Sequence, residues 1–207
     1  MATVEFWFEF ASTYSYLSVM RLERVSAARG VDVVWRPFLL GPIFAKNGWN
    51  TSPFNLYPDK GRYMWRDVAR QAAHYDLPFE RPPASGPGAF PQNGLHCARL
   101  ALVGLKKDWG VGFCKNAFSA QFANGQDIGD PNVARAIARQ SGAPEADLET
   151  AVGQPNKTEL REQTERAIAL GIFGAPSFTV GEELFWGDDR LDDALAFATA
   201  AGRGEAD

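Results

Sequence analysis

Val4-Glu5-Phe6-Trp7-Phe8-Glu9-Phe10-Ala11-Ser12-Thr13-Tyr14-Ser15-Tyr16-Leu17-Ser18 is the stretch on which the fold of this chain turns. Positions 4–10 are mostly aromatic or β-branched, broken only at Glu5 and Glu9. That is the pattern of a parallel-sheet strand buried on both faces, with only its ends meeting water. A central strand is expected. Ser12 and Thr13 stand at the switch to a helix, whose stripe of Tyr14, Leu17, Leu22, Val25 and Ala28, interrupted by Arg21, runs to Gly30 as a C-terminal cap. Ser12 therefore sits at a helix N-terminus on a strand-to-helix turn. Its plain role is to cap the helix. The same place carries unpaired backbone N–H groups and a positive dipole end, so it also favours an anion to which a hydroxyl can donate.

Outward from this stretch, Val31-Asp32-Val33-Val34-Trp35-Arg36-Pro37 alternates as a second strand that Pro37 ends. Strand, helix and strand make a βαβ unit with a right-handed crossover. Positions 40–58 carry Gly41, Pro42, Gly48, Trp49, Asn50, Pro53, Asn55 and Pro58, and read as a long irregular segment. A helix opens at Asp59 or Lys60 and ends near Asp76, and a Pro- and Gly-rich loop covers 81–92. Helical patterns follow over 95–107, 112–122, 131–140, 145–152 and 158–170. The tail reads as a β-hairpin, Ser177-Phe178-Thr179-Val180 and Leu184-Phe185-Trp186 about a turn at 181–183, then a last helix opened by Asp188-Asp189-Arg190-Leu191. The order is βαβ, a helical insert, then ββα. The expected class is α/β, a thioredoxin-like fold with a large α-helical domain inserted between its halves: residues 1–40 and 173–207 form the discontinuous thioredoxin-like domain and 41–172 the insert.

With 207 residues, 45% hydrophobic and 22% charged, the chain is an ordinary globular protein with a sizeable core. A net charge of −4 without a basic block excludes a nucleic-acid footprint and gives no support to binding anionic membranes. The expected partner is a small molecule or another protein chain. No signal-peptide pattern and no apolar run near ~20 residues is present, so the expected location is the cytoplasm. Cys97 and Cys114 lack CxxC or metal-ligand spacing and read as helix-core residues. His74 and His96 have no partners at metal or triad spacing, and no metal is expected.

Four blocks carry a resemblance. Phe8-Glu9-Phe10-Ala11-Ser12-Thr13-Tyr14-Ser15-Tyr16, Arg36-Pro37-Phe38-Leu39-Leu40-Gly41, Gly174-Ala175-Pro176-Ser177-Phe178 and Trp186-Gly187-Asp188-Asp189-Arg190 together resemble the signature of the 2-hydroxychromene-2-carboxylate isomerases and their relatives, the kappa-class glutathione transferases. The likeness runs from the first strand to the last helix. Thioredoxin-fold oxidoreductases place CxxC at the first helix, whose N-terminus favours a thiolate. Ser12-Thr13-Tyr14-Ser15 stands at that place here, so the anion site is kept while the protein thiol is gone.

The resemblance implies glutathione as cofactor, its thiolate stabilised by Ser12 as the catalytic residue. It implies that Ala175-Pro176 is a cis bond facing the helix N-terminus, with Ala175 pairing to the cysteinyl part of the ligand; an ordinary trans proline starting a strand is the alternative. It assigns Trp186, Gly187, Asp188 and Asp189 to the γ-glutamyl end, where both acids equally suit capping of the last helix. Relatives often carry Asn or Ser at the first acidic position, so Asp188 departs from the pattern. For an aromatic carboxylate substrate, Phe44 and Trp49 are candidate stacking partners, Lys60 a candidate cation, and Asn50, Asn55 and Asn93 candidate donors; core, turn and capping roles suit the same residues.

The implied activity is a glutathione-dependent cis–trans isomerase that converts 2-hydroxychromene-2-carboxylate, or a polycyclic homologue, to trans-o-hydroxybenzylidenepyruvate in naphthalene-type aromatic hydrocarbon catabolism. Reversible addition of the cofactor thiol to a conjugated carbon would let the former double bond rotate. A kappa-type transferase on small electrophiles is the alternative, and a noncatalytic glutathione- or peptide-binding module a further one. The family pattern and exposed aromatic content in the helical block imply a homodimer.

Overall fold

The computed structural model describes residues 3–204. Four strands form one mixed sheet in the order β2-β1-β3-β4: β1 (Thr3–Phe8), β2 (Asp32–Pro37), β3 (Ser177–Val180) and β4 (Glu183–Trp186). β1 pairs parallel with β2, Phe6 opposite Trp35, and antiparallel with β3, Phe6 opposite Phe178. It is flanked on both sides, as its apolar run requires. Helix α1 (Thr13–Ala27) makes the βαβ crossover, and the β3–β4 hairpin leads through a 3-10 turn (Asp188–Arg190) into α10 (Leu191–Gly204). The expected thioredoxin-like order is present. The terminal positions 1–2 and 205–207 of the expected domain lie outside the described residues.

Between the halves come α2 (Leu40–Lys46), α3 (Pro53–Leu56), α4 (Pro58–His74), α5 (Leu95–Gly104), α6 (Gly110–Phe122), α7 (Pro131–Gln140), α8 (Glu145–Val152) and α9 (Gln154–Ala169). The segment 40–58, expected to be irregular, contains two short helices. Its prolines explain the difference: Pro53 and Pro58 occupy the first helical turn, where the missing N–H costs nothing, and Ser52 caps α3 by accepting from Phe54 N at 3.3 Å.

The sheet and the insert share one core. Phe6 stacks on Phe8 and Phe178, and Phe10, just past β1, stacks on Phe118 of α6 at 5.1 Å between ring centroids. Cys97 and Cys114 are buried and unbridged in that core, as their helical context predicts.

Both acids of the opening stretch differ from water-facing strand ends. Glu5 is half-buried between Arg36 and Arg166, each 2.7 Å away; burial acts to raise its carboxyl, but the two guanidinium groups outweigh it and hold the carboxyl low. Glu9 is buried, with 8% of its surface exposed. Glu9 lies just past the end of β1, where the start of α5 closes over its carboxyl: a Cβ on Gly94 would lie 2.6 Å from Glu9 Oε1.

Candidate functional site

Ser12 is the N-cap of α1 in extended backbone (φ −83°, ψ 117°), and its Oγ accepts from Ser15 N at 3.1 Å. Its hydroxyl hydrogen points elsewhere, donating to the carbonyl of Ala175 at 2.8 Å. The Ala175–Pro176 bond is cis, and the Ser12 contact to Ala175 brings the helix N-terminus and the loop before β3 together, as the resemblance implied. Ser12 is half-buried, whereas Thr13 and Ser15 are buried. The first serine alone of the SxxS pair is therefore open to a ligand.

The loop before β3 is built by close approach. A Cβ on Gly174 would lie 2.3 Å from Trp186 Nε1, so the absence of a side chain lets the indole lie across the backbone. Trp186 is itself half exposed (52%) and meets Phe173 edge-on at 4.8 Å. Gly187 has φ 115°, a conformation open to glycine at little cost, and its N–H donates to Pro176 O at 3.0 Å. The turn brings the two aspartates out of β4 in opposite senses.

Asp188 turns inward. Its carboxylate is 4% exposed and accepts from Ser18 Oγ at 2.7 Å and from Arg21 Nε at 3.3 Å and Nη2 at 3.2 Å, while Arg21 Nη2 also donates to its backbone carbonyl at 2.7 Å. Burial pushes this carboxyl up, against the pull of Arg21 and Ser18. The side chain expected to meet a ligand is thus committed to the interior. Asp189 is exposed and pairs with the adjacent Arg190 at 3.1 Å, so its carboxylate is the one open to an incoming ammonium group.

Two residues that sequence reasoning passed over complete this end of α1. The Tyr14 hydroxyl donates to Asp67 Oδ2 of α4 at 2.9 Å, a contact across 53 positions that no local pattern reveals. Burial first, then Asp67, Tyr63 and Asp189, push the Tyr14 hydroxyl well above its ordinary value, so it remains a donor. Acid groups from α4 and from the 3-10 turn therefore converge on Tyr14. Glu9 is the other missed residue. Its carboxylate accepts from Ala11 N at 3.1 Å, and burial raises it to about 7.

Among the residues expected to meet a substrate, Phe44 and Trp49 come together, with ring centroids 5.8 Å apart. Phe54 of α3 approaches Tyr14 at 6.3 Å and so links this segment to the α1 N-terminus. Asn55 is exposed and donates to Thr51 Oγ1 at 3.3 Å and to Phe90 O at 3.4 Å, tying α3 to the Pro-rich loop. Lys60 is exposed with its Nζ 5.8 Å from the Tyr57 ring centre, and Asn50 is exposed. Asn93 accepts from Leu95 N at 3.1 Å, a local turn at the start of α5. Among the described residues no group of three or more His, Cys, Asp or Glu could hold a metal ion, and no helix is long and apolar enough to cross a membrane.

A four-stranded mixed sheet, with a helix N-terminus facing a cis-proline loop and a helical block inserted between its halves, defines a thioredoxin-fold protein. Residues 3–197 match the family model described as a DSBA-like thioredoxin domain. The chain is 30% identical over 192 residues to the 2-hydroxychromene-2-carboxylate isomerase of Sphingobium xenophagum, covering 92% of this chain and 94% of that one. It is 27% identical to glutathione S-transferase kappa 1 of Homo sapiens, over 92% of this chain and 88% of that one. A solved 2-hydroxychromene-2-carboxylate isomerase superposes with a TM-score of 0.83 at 22% identity, covering 99% and 98% of the two chains, which is a likeness of fold. The chain belongs to the DSBA-like thioredoxin family and, within it, to the 2-hydroxychromene-2-carboxylate isomerase family.

Proposed function

We propose that the chain is a glutathione-dependent isomerase that converts 2-hydroxychromene-2-carboxylate, or a polycyclic homologue, to trans-o-hydroxybenzylidenepyruvate. It would act in the cytoplasm, as a homodimer, in the breakdown of naphthalene-like compounds. The observation that carries this reading is the Ser12 hydroxyl, 2.8 Å from Ala175 O at the end of α1. A peptide thiol fits such a place: the helix end and the hydroxyl suit its anion, and the Ala175 peptide suits its backbone.

Glutathione bound there would supply the thiolate chemistry, a reversible addition to a conjugated carbon. The chain's own residues do the rest. Ser12 hands its hydrogen bond from Ala175 O to the sulfur anion and does not itself attack. Ala175 and Pro176 offer the backbone edge for the cysteinyl part. Trp186 and Gly187 flank the γ-glutamyl end, where Asp189 offers a carboxylate to its ammonium group and Asp188, held by Arg21, fixes the turn. Phe44 and Trp49 form the aromatic wall, and Lys60, Asn50, Asn55 and Asn93 are the polar groups for a substrate carboxylate.

The likeness to a kappa transferase favours a second reading, in which the same activated thiolate adds to a small electrophile and the product is kept. Disulfide exchange is disfavoured, because Cys97 and Cys114 stand on α5 and α6 outside the SxxS turn, are buried, and have both thiols pushed far up by that burial. Turnover of 2-hydroxychromene-2-carboxylate, assayed with and without reduced glutathione, tests the proposal. Isomerisation that requires glutathione supports it; conjugate formation without isomerisation favours the transferase; no effect of glutathione on either reaction overturns both. The exposed aromatics bear on assembly: Phe173, Trp186 and Phe197 lie on the thioredoxin-like half, and Tyr57 and Tyr63 on the insert. Light scattering that gives a monomer at micromolar concentration would exclude the homodimer.

A further inference from the structure

The backbone N–H groups of Ala11 and Ser12, which lead into α1, both end on one residue. Glu9 O accepts from Ser12 N at 3.0 Å, and Glu9 Oε2 reaches two residues forward to accept from Ala11 N at 3.1 Å. The carboxyl is closed in from the far side by the start of α5, where a Cβ on Gly94 would lie 2.6 Å from Oε1 and 3.0 Å from Phe10 Cβ. Phe10, next in the chain, is held by the rings of Phe8, Phe113 and Phe118. Among the described residues no Lys, Arg or His pairs with Glu9. The titratable group that feels its charge is the Cys97 thiol of α5, and Cys97 in turn acts on Cys114 of α6. Burial keeps both thiols neutral, so neither offsets the charge of Glu9.

We propose that Glu9 is a proton-linked positioning residue of the anion site at Ser12: its negative charge at the base of the turn opposes an anion at the helix end, and its protonation favours one. This rests on the reading of that site as a thiolate site. A carboxylate and a thiolate at the two ends of a four-residue turn repel through a medium much less polarisable than water. The coupling is reciprocal, so a bound thiolate draws a proton onto Glu9 as strongly as a protonated Glu9 favours the thiolate. Protons balance: ionising the ligand thiol releases one, and Glu9 takes up a fraction of one from the same solution. Because burial raises the carboxyl to about 7, this exchange falls at neutral pH.

Glu9→Gln removes the charge and keeps an acceptor for Ala11 N. The test titrates the ultraviolet thiolate absorbance of reduced glutathione bound to each protein, and measures proton release on binding at pH 7 by calorimetry in two buffers of different ionisation enthalpy. The variant is expected to bind glutathione with a thiol pKa lower by on the order of one pH unit, a tenfold change. It is also expected to release more protons than the wild type. Equal thiol pKa and equal release, with glutathione bound to both, overturn the inference and leave the cofactor reading standing; no binding to the wild type overturns both. The wild-type chain gives a second check that does not depend on the variant folding. Its Ala11 and Ser12 amide signals should titrate with a midpoint near pH 7 that rises when glutathione binds, and a midpoint near 4.5 overturns the inference.

Discussion

Arg21 and Asp188 form an ion pair buried on both sides, 3.2 Å from Nη2 to Oδ1, that fastens the last turn of the chain to the first helix. Removing one partner of such a pair leaves an uncompensated charge, so Asp188→Ala should cost roughly 3–5 kcal/mol of stability in denaturant unfolding. Asp189→Ala, at an exposed neighbour paired only across the surface, should change stability by less than about 1 kcal/mol while weakening glutathione binding measured by titration. Equal losses of stability in the two variants would contradict the division of labour between the aspartates.

Glu9 makes stability depend on pH in a particular sense. The folded chain raises its carboxyl from the ordinary 4.5 to about 7, so the folded state holds the proton more tightly than the unfolded state. The associated stability is fully present below about pH 4.5 and is lost as pH rises through about 7. At about 1.36 kcal/mol per pH unit the loss is roughly 3 kcal/mol in all. Glu9→Gln should abolish this part of the profile, so its stability relative to the wild type should increase between those limits. A difference between the two proteins that is flat from pH 4 to about 8 would remove the buried, ionising Glu9 from the account.

Two glycine substitutions should go in opposite directions. Gly187 holds φ 115°, and a Cβ there would also lie 2.5 Å from Asp189 Oδ1, so Gly187→Ala should cost roughly 1–3 kcal/mol and loosen the turn that carries Asp189. Gly112 lies in α6 with nothing within 4 Å of an added Cβ, and Gly112→Ala should stabilise by up to about 1 kcal/mol. Thermal unfolding of both variants checks the pair; a stabilising Gly187→Ala would contradict the strained turn.

The halves of the fold are legible in the sequence because their signals are local. Aromatic runs, an apolar helical stripe and the Gly181 turn lie within a few residues of what they determine. The short helices α2 and α3 are hidden because the prolines that open α3 and α4 look like breakers until their place in a first turn is known. Within the site, the place of Ser12 is legible from the strand-to-helix switch, whereas the cis Ala175–Pro176 bond is implied by the family resemblance and not by the local pattern, which suits a trans proline equally. Asp188 and Asp189 look alike as neighbouring acids, and Ser18 and Arg21 of α1, 170 and 167 positions away, hold the one that turns inward. Tyr14 and Asp67 meet only once α4 has packed, and no period in either helix announces it. Glu9 is buried by the start of α5, more than 80 positions away, so its place at a strand end gives no sign of it.

The most direct test of the central claim is the thiol pKa of glutathione bound to the Ser12→Ala variant, read from thiolate absorbance beside the wild type. A charge-assisted hydrogen bond is worth roughly 1.5–3 kcal/mol, and part of that is offset because the free hydroxyl already serves Ala175 O at 2.8 Å. The account predicts that the bound thiol pKa rises by about one pH unit, that turnover at pH 7 falls on the order of tenfold, and that part of the loss returns at higher pH. An unchanged thiol pKa and normal turnover, with only the roughly 1 kcal/mol of stability that a lost N-cap costs, would contradict it and leave Ser12 as a helix cap.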